Sequence, residues 1–242
     1  MEKTVFNPEF KKIKMEKIAV LTGAGISAES GIKTFRDADG LWEGHDVNEV
    51  ATPEGWRRNM ELVLDFYNQR RRQLFEVEPN NAHLALAALE DRFEVSIITQ
   101  NVDNLHQRAG STKVIHLHGE LLKARSSVDP KLIFDWEEDI KLGDLCKHQQ
   151  QIRPHIVWFG EAVPMLEKAA EIVSEADIIM VIGTSMQVYP AAGLVDYKKP
   201  GTPVYFIDPK PSITENSMSD LKIIAEKASI GIPIVVDLLS DI

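Results

Sequence analysis

The stretch Lys17-Ile18-Ala19-Val20-Leu21-Thr22-Gly23-Ala24-Gly25-Ile26-Ser27-Ala28-Glu29-Ser30-Gly31 decides how the rest of the chain is read. Its apolar run has the length of a buried parallel strand, and the glycines that follow let backbone N–H groups approach a pyrophosphate at a helix N-terminus. Gly23, Gly25 and Ala28 satisfy the loose glycine pattern of dinucleotide-binding turns, a pattern that ordinary tight turns also produce. Its counterpart is Thr99-Gln100-Asn101-Val102-Asp103-Asn104-Leu105-His106. This segment follows a second apolar run, Val95 to Ile98, and sets two amides and a carboxylate at a strand's C-terminal end. Polar chemistry on the scale of a ribose fits there.

Outward from these two segments, strand-length apolar runs recur at Val114 to Leu117, Ile156 to Phe159, Ile178 to Ile182 and Val204 to Ile207. Helical patterns such as Asn81 to Phe93 and Pro164 to Glu175 lie between them. That alternation predicts an α/β fold, a Rossmann-like doubly wound parallel sheet. Two stretches break the rhythm: 45–79 reads as helical, and 121–153 is polar and weakly patterned. We expect both to be inserts forming a small domain beside a large one built from about 15–44, 80–120 and 154–242. The junction would make the cleft, where open α/β sheets bind ligands.

With 242 residues and 44% hydrophobic content the chain can bury a full core. A net charge of −10, with Arg70-Arg71-Arg72 as the longest basic run, argues against nucleic acid as a partner. Cys146 is the only cysteine, so no intramolecular disulfide forms and a cytoplasmic setting is expected. No apolar run reaches the 18 or so residues of a membrane span. Met15-Glu16-Lys17 repeats the opening Met1-Glu2-Lys3, which leaves two alternatives: a second start at Met15, or a leader over residues 1–14.

Further polar residues sit at strand ends. His116-Leu117-His118-Gly119 puts two imidazoles on one face of a strand, with Gly119 allowing a sharp turn. A strand-end histidine suits a general base, and His118, next to the turn, is favoured over His116. Gly183, Thr184 and Ser185 end one strand and Asp208 another. Each alone reads equally as a turn or cap. Thr34-Phe35-Arg36-Asp37 offers an aromatic and a cation able to close over phosphate and ribose, or else a core cover and a surface ion pair. The acidic strand end that a dehydrogenase uses about 20 residues after its glycine turn is missing, since residues 40–46 read as loop.

Assembled, these motifs resemble the sirtuins, the NAD-dependent protein-lysine deacylases, and most of all their bacterial members. The motifs are Gly23-Ala24-Gly25-Ile26-Ser27, Thr34-Phe35-Arg36, Thr99-Gln100-Asn101-Val102-Asp103, His118-Gly119, Val157-Trp158-Phe159-Gly160-Glu161 and Gly183-Thr184-Ser185. The resemblance implies that Gly23, Ala24, Gly25, Ile26 and Ser27, with Phe35 and Arg36, hold the pyrophosphate and cap the nicotinamide end of NAD. It implies that Gln100, Asn101, Val102 and Asp103 order the nicotinamide ribose, with Asn101 and Asp103 catalytic beside His118. The adenosine half would meet Gly183, Thr184, Ser185, Asp208 and Ala228, although many members carry Asn at the Asp208 position. Strand Val157 to Gly160 would pair with an acyl-lysine peptide by strand addition. The implied reaction consumes NAD: the acyl amide oxygen attacks the anomeric carbon, nicotinamide leaves, His118 activates a ribose hydroxyl toward the resulting imidate, and collapse with water releases lysine and O-acyl-ADP-ribose.

Thr52-Pro53 reads as the start of a helix carrying Tyr67 and Arg70 on one face. By residue type alone, Tyr67 would be core and Arg70 to Arg72 a solvated face. Within the resemblance the pair matches the Tyr-x-x-Arg signature of the class III branch, which removes succinyl and malonyl as well as acetyl groups. Most sirtuins fix a structural zinc with two cysteine pairs, and closure needs four ligands. Here Ser126 and Ser127 stand where cysteines would, with only Cys146 and His148 later. No zinc is therefore expected, the lobe being held by packing of Leu132, Phe134, Trp136 and Leu145. Two other readings use the same NAD site: a sirtuin-like mono-ADP-ribosyltransferase and a non-catalytic NAD or ADP-ribose sensor.

Overall fold

A computed structural model describes residues 15–33, 41–42 and 44–240. Among the described residues the first elements are β1 (Lys17–Thr22), α1 (Ala24–Ser27) and a two-stranded antiparallel pair, β2 (Leu41–Trp42) and β3 (His45–Asp46). The chain continues through α2 (Val47–Val50), α3 (Pro53–Arg58), α4 (Met60–Gln73) and α5 (Asn81–Ala88) to β4 (Glu94–Thr99), α6 (Leu105–Arg108) and β5 (Val114–His116). Then come β6 (Gly119–Ser126), β7 (Ile133–Asp135), β8 (Ile152–Ile156), α7 (Leu166–Glu175), β9 (Ile178–Ile182), β10 (Val204–Ile207), β11 (Leu221–Ile224) and α8 (Ala228–Ser240).

Six parallel strands form the main sheet in the order β11-β10-β9-β1-β4-β5. The expected α/β Rossmann-like sheet is present. Apolar residues on both faces of the central strands explain their position: β9 is buried throughout, and β1 everywhere but Lys17. One face packs on α5 and α8 through Val20, Leu86, Ile97, Ile182 and Ile232. The other packs on α7 and the 191–197 turn through Ala19, Ile98, Ala169, Val181 and Leu194. Because β1 has β4 on one side and β9 on the other, the strand order reverses at its C-terminal end. That places the ligand crevice of such sheets beside Gly23.

A third core gathers α2 to α4 with the three-stranded antiparallel sheet β7-β6-β8, around Val63, Phe66, Tyr67, Ala124, Ile152 and Trp158. Four expectations are corrected here. The apolar run Ile156 to Phe159 is not a strand of the main sheet: the strand is Ile152–Ile156, paired antiparallel with β6, and Val157 to Gly160 lie beyond its end. The boundary expected near residue 153 consequently falls inside β8. The stretch 121–153, read as weakly patterned, holds a three-stranded sheet: β6 and β8 carry most of its buried residues, while β7 stays at the surface, and the polar composition hides the pairing. The single helix expected from Thr52 is two, because Asn59 leaves the helical conformation and caps α4, its Oδ1 accepting from Leu62 N at 3.1 Å. Asn68 on α4 bonds both ways with the Ile140 backbone, at 2.9 Å each, and so ties the two inserts together. Strand β11 carried no strong sequence signal.

Candidate active site

A cleft of about 870 Å³ opens at the C-terminal ends of β1, β4, β9 and β10 and runs on between the main sheet and the third core. At its floor two glycine turns interlock. Gly23 N donates to Ile182 O at 3.0 Å and Gly25 N to Gly183 O at 2.8 Å, which carries the β1/β9 ladder past the strand ends. A Cβ on Gly25 would stand 2.6 Å from the Gly183 Cα, and one on Gly183, whose φ is +60°, 2.5 Å from Ile26 N. These glycines are therefore required by each other's backbone as well as by any ligand. Gly23, Ala24, Gly25 and Ser27 line the cleft, whereas the Ile26 side chain points into the core and does not.

The 100–103 segment is bound to that floor by a buried chain of hydrogen bonds. Asn101 Nδ2 donates to Gly23 O and to Ser27 Oγ, both at 3.1 Å, and Ser27 Oγ donates to Asp103 Oδ2 at 3.0 Å. Ser27 spends its hydroxyl on this bridge, so any phosphate contact from it falls to its backbone. Burial pushes the Asp103 carboxyl above the ordinary carboxylate value, and the bonds from Leu105 N and Ser27 oppose that shift. Gln100 Nε2 donates to Thr184 Oγ1 at 3.2 Å across the cleft floor. Val102 packs its side chain toward the third core while still bordering the cleft.

Both candidate histidines hang from the same loop. His118 Nδ1 lies 3.0 Å from Gln100 O and His116 Nδ1 2.9 Å from Asn101 O, so each ring donates its Nδ1–H to a carbonyl. Of the two, only His118 borders the cleft. The other nitrogen of His116 is taken by Gln107 Nε2 at 2.7 Å. Burial lowers His118 below the ordinary imidazole value. A neutral ring with a bare Nε2 is suited to accept a proton.

Tyr67 and Arg70 both border the cleft, with Ala51. Tyr67 is shut off from solvent, Trp42 and Phe66 lying edge-on at 6.1 and 5.0 Å, and its hydroxyl accepts the Trp158 indole N–H at 3.0 Å. The Arg70 guanidinium stacks 3.3 Å above the Phe66 ring and donates to the Phe66 carbonyl. The run Arg70 to Arg72 is thus not a solvated face. Arg71 is fully buried, donating to Leu121 O at 2.9 Å and Asn68 Oδ1 at 2.6 Å, and only Arg72 reaches the surface, to pair with Asp139.

The 157–161 loop forms the opposite wall. Val157 N donates to His118 O and Phe159 N to Ala51 O, so part of its backbone is already paired within the chain. Phe159 stands half exposed in the cleft, Gly160 has φ +87°, and the Trp158 side chain faces inward, 2% exposed. Glu161 holds the loop shut from below. Its carboxylate accepts from Arg125 Nη2, Arg153 Nη2 and Trp158 N at 2.8 to 2.9 Å. Sequence reading missed this clamp. Its signal was two arginines and a glutamate within otherwise apolar stretches.

At the far end, Gly183, Thr184, Ser185, Asp208 and Ala228 all line the cleft, joined by Lys210 and Lys227. Asp208 Oδ1 accepts from Lys210 N at 2.8 Å. Phe35, Arg36 and residues 1–14 lie outside the described residues. Where cysteines were sought, Cys146 Sγ donates to Ser126 Oγ at 3.3 Å, and the same oxygen accepts from Val128 N and Asp129 N. Leu132, Phe134 and Trp136 pack on the third core as expected, but Leu145 is exposed and Cys146 takes the buried position. No helix among the described residues is long and apolar enough to cross a membrane.

Comparison with known proteins bears on this geometry as a whole. Residues 23–190 match the Sir2 family model, a span that holds the glycine turns, the 99–103 segment, both histidines and the 157–161 loop. A protein of Helicobacter pylori named NAD-dependent protein deacylase is 63% identical over 81% of this chain and 86% of its own length. One of the same name from Bacteroides thetaiotaomicron is 54% identical over 90% and 95%. A crystal structure of a Sir2 homologue in complex with NAD superposes with a TM-score of 0.81 at 38% identity, over 94% of this chain and 91% of that one. A Sir2 structure holding 2′-O-acetyl-ADP-ribose and a deacetylated peptide superposes at 0.74, with 30% identity over 92% and 94%. With its glycine turns, buried Asn101-Ser27-Asp103 chain and cleft-facing His118 all inside the matched span, the chain belongs to the Sir2 family.

Proposed function

We propose that this chain is an NAD-dependent protein-lysine deacylase that removes succinyl and malonyl groups as well as acetyl. The observation that carries the reading is the convergence of His118, the Asn101-Ser27-Asp103 chain and the Tyr67/Arg70 pair on one cleft. The residues fit NAD: the cleft lies near the upper end of small-molecule sites, roughly 300–1,000 Å³, and carries the glycine turns at one level and Asp208 at the other. Gly23 to Ser27 would hold the pyrophosphate through their backbone, with Phe35 and Arg36. Gly183, Thr184, Ser185, Asp208 and Ala228 would hold the adenosine half. Bound NAD supplies an anomeric carbon from which nicotinamide can leave.

The chain's own residues do the rest. Asn101 and Asp103, fixed by Ser27, keep the ribose hydroxyls in one orientation. His118 takes a hydroxyl proton on Nε2 while its Nδ1–H stays on Gln100 O, and it returns that proton when the amine departs. The peptide lies along Val157 to Gly160, using the backbone groups that the loop has not already spent. Tyr67 and Arg70 receive an acyl carboxylate once Arg70 turns from the Phe66 carbonyl, a phenol and a guanidinium together satisfying one anion.

We infer that the small lobe works without zinc. Ser126, Ser127, Cys146 and His148 offer one thiol and one imidazole, half of what a closed tetrahedral site requires. The net charge of −10 favours a protein partner over nucleic acid, and we place the enzyme in the cytoplasm. The deciding experiment offers purified protein, NAD and matched acetyl-lysine and succinyl-lysine peptides, and reads nicotinamide release with peptide mass. Turnover of both, with succinyl favoured, is expected. Acetyl-only turnover removes the acyl assignment, and NAD binding without turnover of either peptide removes the deacylase reading in favour of a sensor. ADP-ribose found on protein instead favours a transferase.

A further inference from the structure

Trp158 is the point where the loop clamp and the acyl wall meet. Arg153 stacks its guanidinium 3.5 Å above the Trp158 ring, donates to Ile156 O at 3.0 Å and pairs with Glu161, while Trp56 covers the indole from a centroid distance of 5.7 Å. The ring is thus held on several sides, by a cation, an aromatic and its own backbone bond to Glu161. An indole N–H can only donate, and this one donates to Tyr67 Oη. The phenol therefore acts as acceptor toward Trp158 and keeps its own hydrogen for another group. Among the described residues no acceptor takes that hydrogen. A phenol that is itself accepting a hydrogen bond is polarised into a better donor.

We propose that Trp158 is a positioning residue for acyl selectivity, fixing the Tyr67 phenol so that its hydrogen meets the carboxylate of a dicarboxylic acyl group. Glu161, Arg125 and Arg153 set the position of the indole, which couples the peptide-binding loop to the acyl end of the cleft. The inference rests on the reading of Tyr67 as a ligand of that carboxylate.

The test is the ratio of kcat/KM for succinyl-peptide to that for acetyl-peptide, measured on one preparation so that the active fraction cancels. Trp158→Phe keeps an aromatic face for Arg153 and deletes the N–H. The ratio should fall roughly three- to tenfold, the effect of one hydrogen bond, through KM for the succinyl peptide. In a Tyr67→Phe background the same change should leave the ratio where Tyr67→Phe put it. If Trp158→Phe does not fold, β-benzothienylalanine at position 158 keeps the ring size and still lacks the N–H. An unchanged ratio, or an equal further fall without the Tyr67 hydroxyl, overturns the proposal. If Tyr67→Phe alone leaves the ratio unchanged, the carboxylate reading fails and this inference with it. If Tyr67→Phe lowers the ratio and Trp158→Phe does not, only this inference fails.

Discussion

His118 and Gln100 are joined by a bond from Nδ1 to the main-chain carbonyl, 3.0 Å long, which selects the tautomer of the ring before any substrate arrives. The carbonyl can only accept, so the proton sits on Nδ1 and Nε2 is the base. His118→Ala should lower acyl removal by about 10²–10⁴-fold, the contribution of a positioned base, and leave NAD affinity nearly unchanged. Nicotinamide release and calorimetric NAD binding check both halves. Retained turnover would pass the role to His116, whose free nitrogen Gln107 already occupies.

The pH profile follows from the same ring. Burial holds His118 below the ordinary imidazole value of 6.5, and the neutral form is the active one. Activity is therefore full above 6.5 and falls only as pH drops through the lower value. The acid limb of kcat/KM for a neutral acetyl-peptide should have its midpoint below 6.5. A midpoint at or above that value would mean that the base is more exposed than the cleft makes it.

The parallel sheet and the chemistry at its strand ends were legible because buried parallel strands read as unbroken apolar runs and ligand-facing residues follow them directly. The loop bearing Val157 to Gly160 was misread for the same reason. Its apolar residues serve a tryptophan buried in the third core, and composition does not distinguish that from a strand. Arg71 was illegible as an interior residue, and the half-buried Glu161 as a clamp, because each depends on a partner far away in sequence: Leu121 for one, Arg125 for the other. Tyr67 and Arg70 show the limit most clearly. Helical spacing placed them on one face, but only packing reveals that Trp158 and Phe66 engage them first.

Behind the floor, His83 and His106 are buried with their rings 4.9 Å apart. Burial pulls His83 down to about 4, so on acidification the unfolded chain takes up a proton well before the folded one. Its stabilising effect is complete above 6.5 and is lost as pH falls toward 4, by up to about 3 kcal/mol. Urea unfolding at about pH 7.5 and about pH 4.5 should show a smaller loss for His83→Gln than for the unmodified protein. Equal losses would mean that His83 accepts its proton in the fold.

Chelation separates a packed lobe from a metal-held one. Cys146 is buried against Ser126, and the Asn68 bonds to Ile140 hold the segment from the other side. A strong zinc chelator should leave the thermal midpoint unchanged, and Cys146→Ala should cost only about 1 kcal/mol, the scale of one hydrogen bond and a small packing loss. A chelator-induced melt together with stoichiometric zinc in the purified protein would overturn the zinc-free lobe.

The acyl assignment makes the sharpest demand on the Tyr67/Arg70 pair. In Tyr67→Phe with Arg70→Met the cleft keeps its apolar wall, so an acetyl group loses little, while a succinyl carboxylate enters a site with neither phenol hydrogen nor guanidinium. Leaving a buried carboxylate unpaired costs about 3 kcal/mol or more, roughly a hundredfold. Desuccinylation should fall by that factor and deacetylation by far less, with the difference in KM. The two rates must be compared on the same preparation, because Tyr67 is fully buried and its change destabilises the third core as well. Equal losses on both substrates would return Tyr67 to packing alone and leave Arg70 as a cation stacked on Phe66.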